Sequence, residues 1–340
     1  MKKLARKLIL LIIPILLYLS IVYETDTFNV FHYKNIRVTD ASFNDNFVKT
    51  KNVLDHPDQF NAFILGSSRV ANLPKENLPT SLNGHDLYWY NMTCAMGCPK
   101  ENLETLKTFL ANGIKVNAVI LGIDEISMYT TYENNSQEMM LKQYQEYEKN
   151  PIKFYYSYLK LKPEFSILYQ AMTQDDNDKS TAALIYDYGV YPKNCDTSVP
   201  GDPLPMAKSL GCQDYPGKEN CEALSAIEEL KGLCIQNNID LKIYTSPILQ
   251  TTYEDAISHG YIDFLKDVAE ITDFYNFSGR NQYTTDMRYY YDASHYIPYV
   301  GLQIEDVIFD DHKELDVTQF GAYITSDNIQ QLCSYLSHSV

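Results

Sequence analysis

The chain has 340 residues, 45% hydrophobic and 21% charged, a globular composition that excludes wholesale disorder. Its formal net charge of −16 repels nucleic acid, and no Lys/Arg patch is interleaved with aromatics, so nucleic acid is excluded as a partner. The length suits two ordinary domains or one α/β domain with insertions.

Lys2, Lys3, Arg6 and Lys7 precede an uncharged, Leu/Ile-rich stretch at 8–23. Basic residues ahead of an apolar run predict a cytoplasmic tail at 1–7, a single-pass transmembrane signal-anchor at 8–23, and an extracytoplasmic remainder. The stretch is short for a span, which takes roughly 17–25 residues, so a cleaved signal peptide is the alternative. Against cleavage, Leu19-Ser20-Ile21-Val22-Tyr23-Glu24 lacks a pair of small residues. Residues 24–60 read as a polar stalk or first layer with little periodicity.

Strand and helix signals then alternate. Phe63-Ile64-Leu65-Gly66, Leu87-Tyr88-Trp89-Tyr90 and Ala118-Val119-Ile120-Leu121-Gly122 are apolar runs of strand length. Pro99 opens a helix that ends at Asn112-Gly113. Residues 125–220 interrupt with Tyr-rich, helix-leaning sequence and a Gly/Pro loop, sized for a cap over the strand ends. The alternation resumes with a helix at 221–236, a strand at 241–245, a helix at 253–270, a strand at 272–277 and a helix from about Tyr299. Such a pattern predicts a parallel sheet with helices on both faces and ligands beyond the strands' carboxyl ends.

Seven cysteines are present. On the oxidising side of a membrane, Cys195, Cys212 and Cys221, in Pro/Gly/Asp-rich sequence, are expected to form at least one disulfide. The histidines other than His295 are scattered without metal spacing. Tyr155-Tyr156-Ser157-Tyr158 reads as packing, with a carbohydrate-facing wall as the alternative.

Two loops carry the chemistry. Ser68 follows the first strand in Gly66-Ser67-Ser68-Arg69, and Asp292 and His295 follow the last strand in Asp292-Ala293-Ser294-His295. A serine hydroxyl needs a base to take its proton, and the base needs an orienter. Ser68, His295 and Asp292 supply all three, on the same edge of the sheet. Each loop alone has a plain structural reading, since Ser and Asp favour turns and caps.

These residues resemble the SGNH/GDSL hydrolase superfamily, in particular membrane-anchored members from bacterial cell-surface polysaccharide and teichoic-acid modification systems. The resemblance covers most of 61–336. Gly66-Ser67-Ser68 is similar to the Gly-Asp-Ser motif, with Ser68 as nucleophile, and Asp292 and His295 match the Asp-x-x-His motif. Gly97 is similar to the second motif's glycine, which implies an oxyanion-hole N–H beside that of Ser68. The implied fold is a flavodoxin-like three-layer α/β/α sandwich over 61–340, carrying the insertion. Where the family has Gly-x-Asn-Asp this chain has Gly122-Ile123-Asp124-Glu125, and an ionised carboxylate would repel an oxyanion. Asp124 could pair with Arg69 and shape the substrate pocket, stay protonated and donate, or leave the amide's part to Asn91. Arg69 reads either as a salt-bridged residue or as a ligand for an anionic substrate group.

The resemblance implies an extracytoplasmic serine esterase or O-acyltransferase acting on a cell-envelope glycan or glycopolymer, without a cofactor, with a membrane-bound acyltransferase as a conceivable acyl-delivering partner. A scaffold or glycan-binding subunit that keeps the fold is the alternative.

Overall fold

The apolar run at 62–65 forms β1 (Ala62–Leu65), buried throughout. The computed structural model describes residues 2–40, 43–135, 138–190, 205–310 and 315–338, with side chains described at all of these except 2–6, 8, 9 and 338. Further strands are β2 (Ser81–Leu82), β3 (His85–Asp86), β4 (Trp89–Asn91), β5 (Ala118–Ile123), β6 (Asp240–Thr245), β7 (Phe274–Asn276) and β8 (Ala322–Ile324). Six of them form one sheet in the order β4-β1-β5-β6-β7-β8, parallel except for β8, which runs antiparallel to β7. Counted along the chain, its parallel strands lie in the order 2-1-3-4-5, a doubly wound topology whose crevice opens at the carboxyl ends.

The helices are α1 (Lys2–Thr25), α2 (Asp45–Asp55), α3 (Pro99–Ala111), α4 (Tyr132–Asn135), α5 (Tyr144–Lys149), α6 (Pro151–Leu159), α7 (Phe165–Met172), α8 (Asp176–Asp187), α9 (Glu222–Gln236), α10 (Gln250–Ser258), α11 (Tyr261–Ile271), α12 (Pro298–Phe309) and α13 (Ile329–His338). The two-residue side-chain period of a strand divides the core. Phe63 and Leu65 of β1 pack with Leu106 of α3, Ile227 of α9, Phe264 of α11 and Leu332 of α13. Ala62 and Ile64 belong to the opposite face, with Val300, Ile304 and Ile308 of α12.

The single helix expected at 253–270 is two. Gly260 breaks it at φ +96°, where a Cβ would also lie 2.9 Å from Tyr215 Cβ, so α10 and α11 are separate. Residues 24–60 are no loose stalk: Phe47 and Val48 of α2 share a third core with Tyr144, Phe154, Tyr158 and Ile185 from the insertion. Tyr158 is buried in that core and Tyr155 packs against the same core, so the Tyr-rich segment is mainly packing, with Tyr156 exposed. The expected disulfide is not made by Cys212 or Cys221. Both are free thiols, Cys221 donating to Met128 O at 3.4 Å and Cys212 to Thr252 O at 3.8 Å; Cys195 lies outside the described residues.

Among the described residues no helix is long and apolar enough to cross a membrane, so the span expected at 8–23 is not supported as such. What α1 presents is a run of exposed apolar side chains, Leu10 to Ile13 and Ile15 to Leu17. Its far end is fastened to the fold. Tyr18 Oη donates to Leu161 O at 2.9 Å. Just past Thr25, Asp26 accepts the N–H groups of Val30, Phe31 and His32 at 2.7–3.0 Å.

Candidate active site

Gly66 ends β1 with φ +149°, and a Cβ there would lie 2.7 Å from Val70 Cγ2 and 2.9 Å from Gly122 O. Only glycine lets the chain turn this sharply from β1 into the short 3-10 segment Ser68–Val70 with β5 so close. Ser67 anchors the turn: its hydroxyl donates to Asp124 Oδ2 at 2.6 Å and accepts from Arg69 N at 3.2 Å. With Ser67 and Arg69 buried, Ser68 is the residue of the three left partly exposed.

The second loop doubles back through a bridge between Tyr290 and Tyr296. Asp292 Oδ1 accepts the N–H groups of Ser294 at 2.7 Å and His295 at 2.9 Å, a local Asp-turn. The same carboxylate receives His295 Nδ1 at 2.9 Å, and His295 Nε2 lies 2.9 Å from Ser68 Oγ, 227 residues away in the chain. The turn-forming and imidazole-orienting readings of Asp292 therefore hold together. Burial works against the Asp292 charge, but hydrogen bonds from His295 and Ser294 outweigh it and lower its pKa.

Serine, imidazole and carboxylate open into a cleft of roughly 450 Å3, lined also by Asp45, Lys49, Ala71, Asn72, Thr93, Cys94, Ala95, Gly189, Val190 and Tyr291. The insertion reaches the cleft through Gly189 and Val190. Residues 24–60 reach it through Asp45 and Lys49, one turn apart on α2.

Other expected site residues have different work. Asn91 Nδ2 donates to Ala71 O at 3.0 Å, and its oxygen accepts from Thr93 N and Thr93 Oγ1. Gly97 N donates to Cys94 O at 3.1 Å, and a Cβ at Gly97 would lie 2.5 Å from Gly66 O. That glycine is a close-packing residue. Neither residue lines the cleft, so the oxyanion roles expected for Asn91 and Gly97 are not met by their geometry. Asp124, fully buried, caps the 3-10 segment Glu125–Met128 by accepting from Ser127 N and Oγ while holding Ser67. It shapes the site through Ser67, where a pairing with Arg69 was one expectation.

Arg69 is buried and paired with Glu125, and its Nη2 donates to Ser294 Oγ at 3.3 Å. Burial opposes its charge, but Glu125 and Asp124 outweigh that and raise its pKa. It is a brace between the Ser68 turn and the His295 loop, and the substrate-ligand expectation is corrected accordingly. Asn72 makes a second brace, donating from Nδ2 to Tyr296 O. Sequence reading missed Asp45, Lys49, Asn72 and Glu125; only Glu125, beside Asp124 at a strand end, carried a local signal.

No protein-family model matches the chain, and no curated protein matches it.

Proposed function

We propose that the protein is a serine esterase or O-acyltransferase of the SGNH/GDSL type, with a flavodoxin-like α/β/α fold. On this reading it is held at the outer face of the cell membrane through α1 and acts on acyl esters of a cell-envelope glycan or glycopolymer. The observation that carries the reading is the relay Ser68 Oγ–His295 Nε2–Asp292, each step 2.9 Å, at the mouth of an open cleft. The exposed apolar residues of α1 support the tether.

Ser68 Oγ attacks the ester carbon, the carbonyl π pair moves onto oxygen, and the hydroxyl proton passes to His295 Nε2. The pair then returns, the ester C–O bond breaks, and the departing alkoxide takes that proton. Water or a sugar hydroxyl repeats the sequence on the acyl-Ser68 ester, giving hydrolysis or transfer. Asp292 holds Nδ1–H and stabilises the imidazolium.

A second reading, a scaffold or glycan-binding subunit, draws support from the engagement of Asn91 and Gly97 elsewhere. A fluorophosphonate probe and a small chromogenic acyl ester separate the two. The enzyme is expected to be labelled at Ser68 and to turn over the ester, with Ser68→Ala and His295→Ala each lowering kcat/KM by about 10⁴-fold or more while near-UV circular dichroism is kept. A folded protein that is neither labelled nor active would overturn the reading.

A further inference from the structure

Attack by Ser68 places negative charge on the former carbonyl oxygen, and a site without donors for it is slow. In this chain two of the expected donors are turned elsewhere, Gly97 N–H to Cys94 O and Asn91 Nδ2 to Ala71 O, which leaves the backbone N–H of Ser68. Asp124 offers a carboxylate, and the Arg69 guanidinium lies outside the cleft against Glu125 and Ser294.

Among the described residues lining the cleft, Lys49 is the one Lys or Arg. Its side chain is 4% exposed, with Nζ 2.5 Å from Thr93 O and 3.4 Å from Asp45 Oδ1. A buried ammonium needs a counter-charge to be tolerated, and Asp45 provides it one helical turn away. The ammonium carries three N–H groups. Thr93, which fixes one of them, itself lines the cleft with Ser68. In a water-poor wall a fixed cation acts on developing charge far more strongly than in solvent.

Building on the acyl-transfer reading, we infer that Lys49 is a catalytic residue whose ammonium stabilises the oxyanion formed on attack by Ser68, in place of Asn91 and Gly97. Thr93 O aims the ammonium, and Asp45 balances its charge until the oxyanion forms.

The test uses the full chain, with turnover of the small ester, fluorophosphonate labelling of Ser68, and inhibition by phenylboronic acid, whose adduct on Ser68 is a tetrahedral anion. Lys49→Met should lower kcat by roughly 10²–10³-fold, the scale of one oxyanion donor, and weaken the boronate in parallel, with KM within about threefold. Lys49→Arg should recover part of both losses. Asp45→Asn, which leaves the ammonium uncompensated, should tighten the boronate. If Lys49 only props the Thr93 loop, Asp45→Asn should loosen it and weaken the boronate.

A folded Lys49→Met with unchanged kcat and boronate affinity overturns the inference, while labelling of wild-type Ser68 keeps the acyl-transfer reading standing. Wild-type protein that neither labels nor turns over overturns both. Should Lys49→Met fail to fold, Lys49→Gln, which keeps a donor for Thr93 O without the charge, decides: a weaker boronate supports the inference and an unchanged one overturns it.

Discussion

Asp124 receives only donors, from Ser67 Oγ, Ser127 N and Ser127 Oγ, and an asparagine has a single oxygen to receive them. Asp124→Asn should therefore cost about 1–3 kcal/mol, the range for an unsatisfied buried group, and should slow turnover. Urea denaturation and ester turnover check this; a faster enzyme would mean that the carboxylate had been opposing the oxyanion. The triad was legible in the sequence because Asp292 and His295 form one turn and Ser68 ends a recognisable strand. The roles of Arg69, Asn91 and Gly97 were not, because each is set by a partner fixed only by folding: Glu125 and Ser294, Ala71, and the Gly66 carbonyl.

Among elements, continuous apolar runs announced the inner strands, and an N1 proline with a closing Asn-Gly announced α3. Helix α2 escaped because its buried residues include Asn46, Lys49, Thr50 and Asn52. Polar residues satisfied by partners such as Glu101 and Tyr90 erase the binary pattern on which helix reading depends. Helix α12 was legible, but its closest approach was not. A Cβ at Gly301 would lie 2.0 Å from Asn72 O and 2.8 Å from Pro74 Cδ. Gly301→Ala should thus cost roughly 1–3 kcal/mol by overpacking and, through the Asn72–Tyr296 brace beside His295, lower kcat. Gly232→Ala in α9, where a new Cβ meets nothing within 4 Å, should instead stabilise by about 0.5–1 kcal/mol. Thermal melts and kcat of the two variants test the contrast; equal effects would refute it.

For the molecule as a whole, alternation of strand and helix gave the parallel sheet. The third core joining residues 28–48 to the insertion was hidden, since its partners lie about a hundred positions apart. Behind the cleft wall, burial pushes the Glu101 carboxyl up to about 7, against hydrogen bonds from Cys94 and Asn46. The unfolded chain releases this proton near the ordinary 4.5. Between those values the folded state binds more protons, so stability falls as pH rises from about 4.5 to about 7 and the penalty is complete above that. Its ceiling is roughly 3 kcal/mol. Glu101→Gln should shrink the loss of unfolding free energy between pH 5 and pH 8 by up to that amount, read from urea titrations. An unchanged difference would exonerate Glu101. Finally, Tyr18 ties α1 to Leu161, and Asp26 ties its end to the turn at residues 30–32, which shares the third core with the helix that carries Lys49. If α1 is seated in a membrane as proposed, the molecule acts as a ruler: the cleft has one working height, and ester groups along a polymer are served only where the polymer passes through that band.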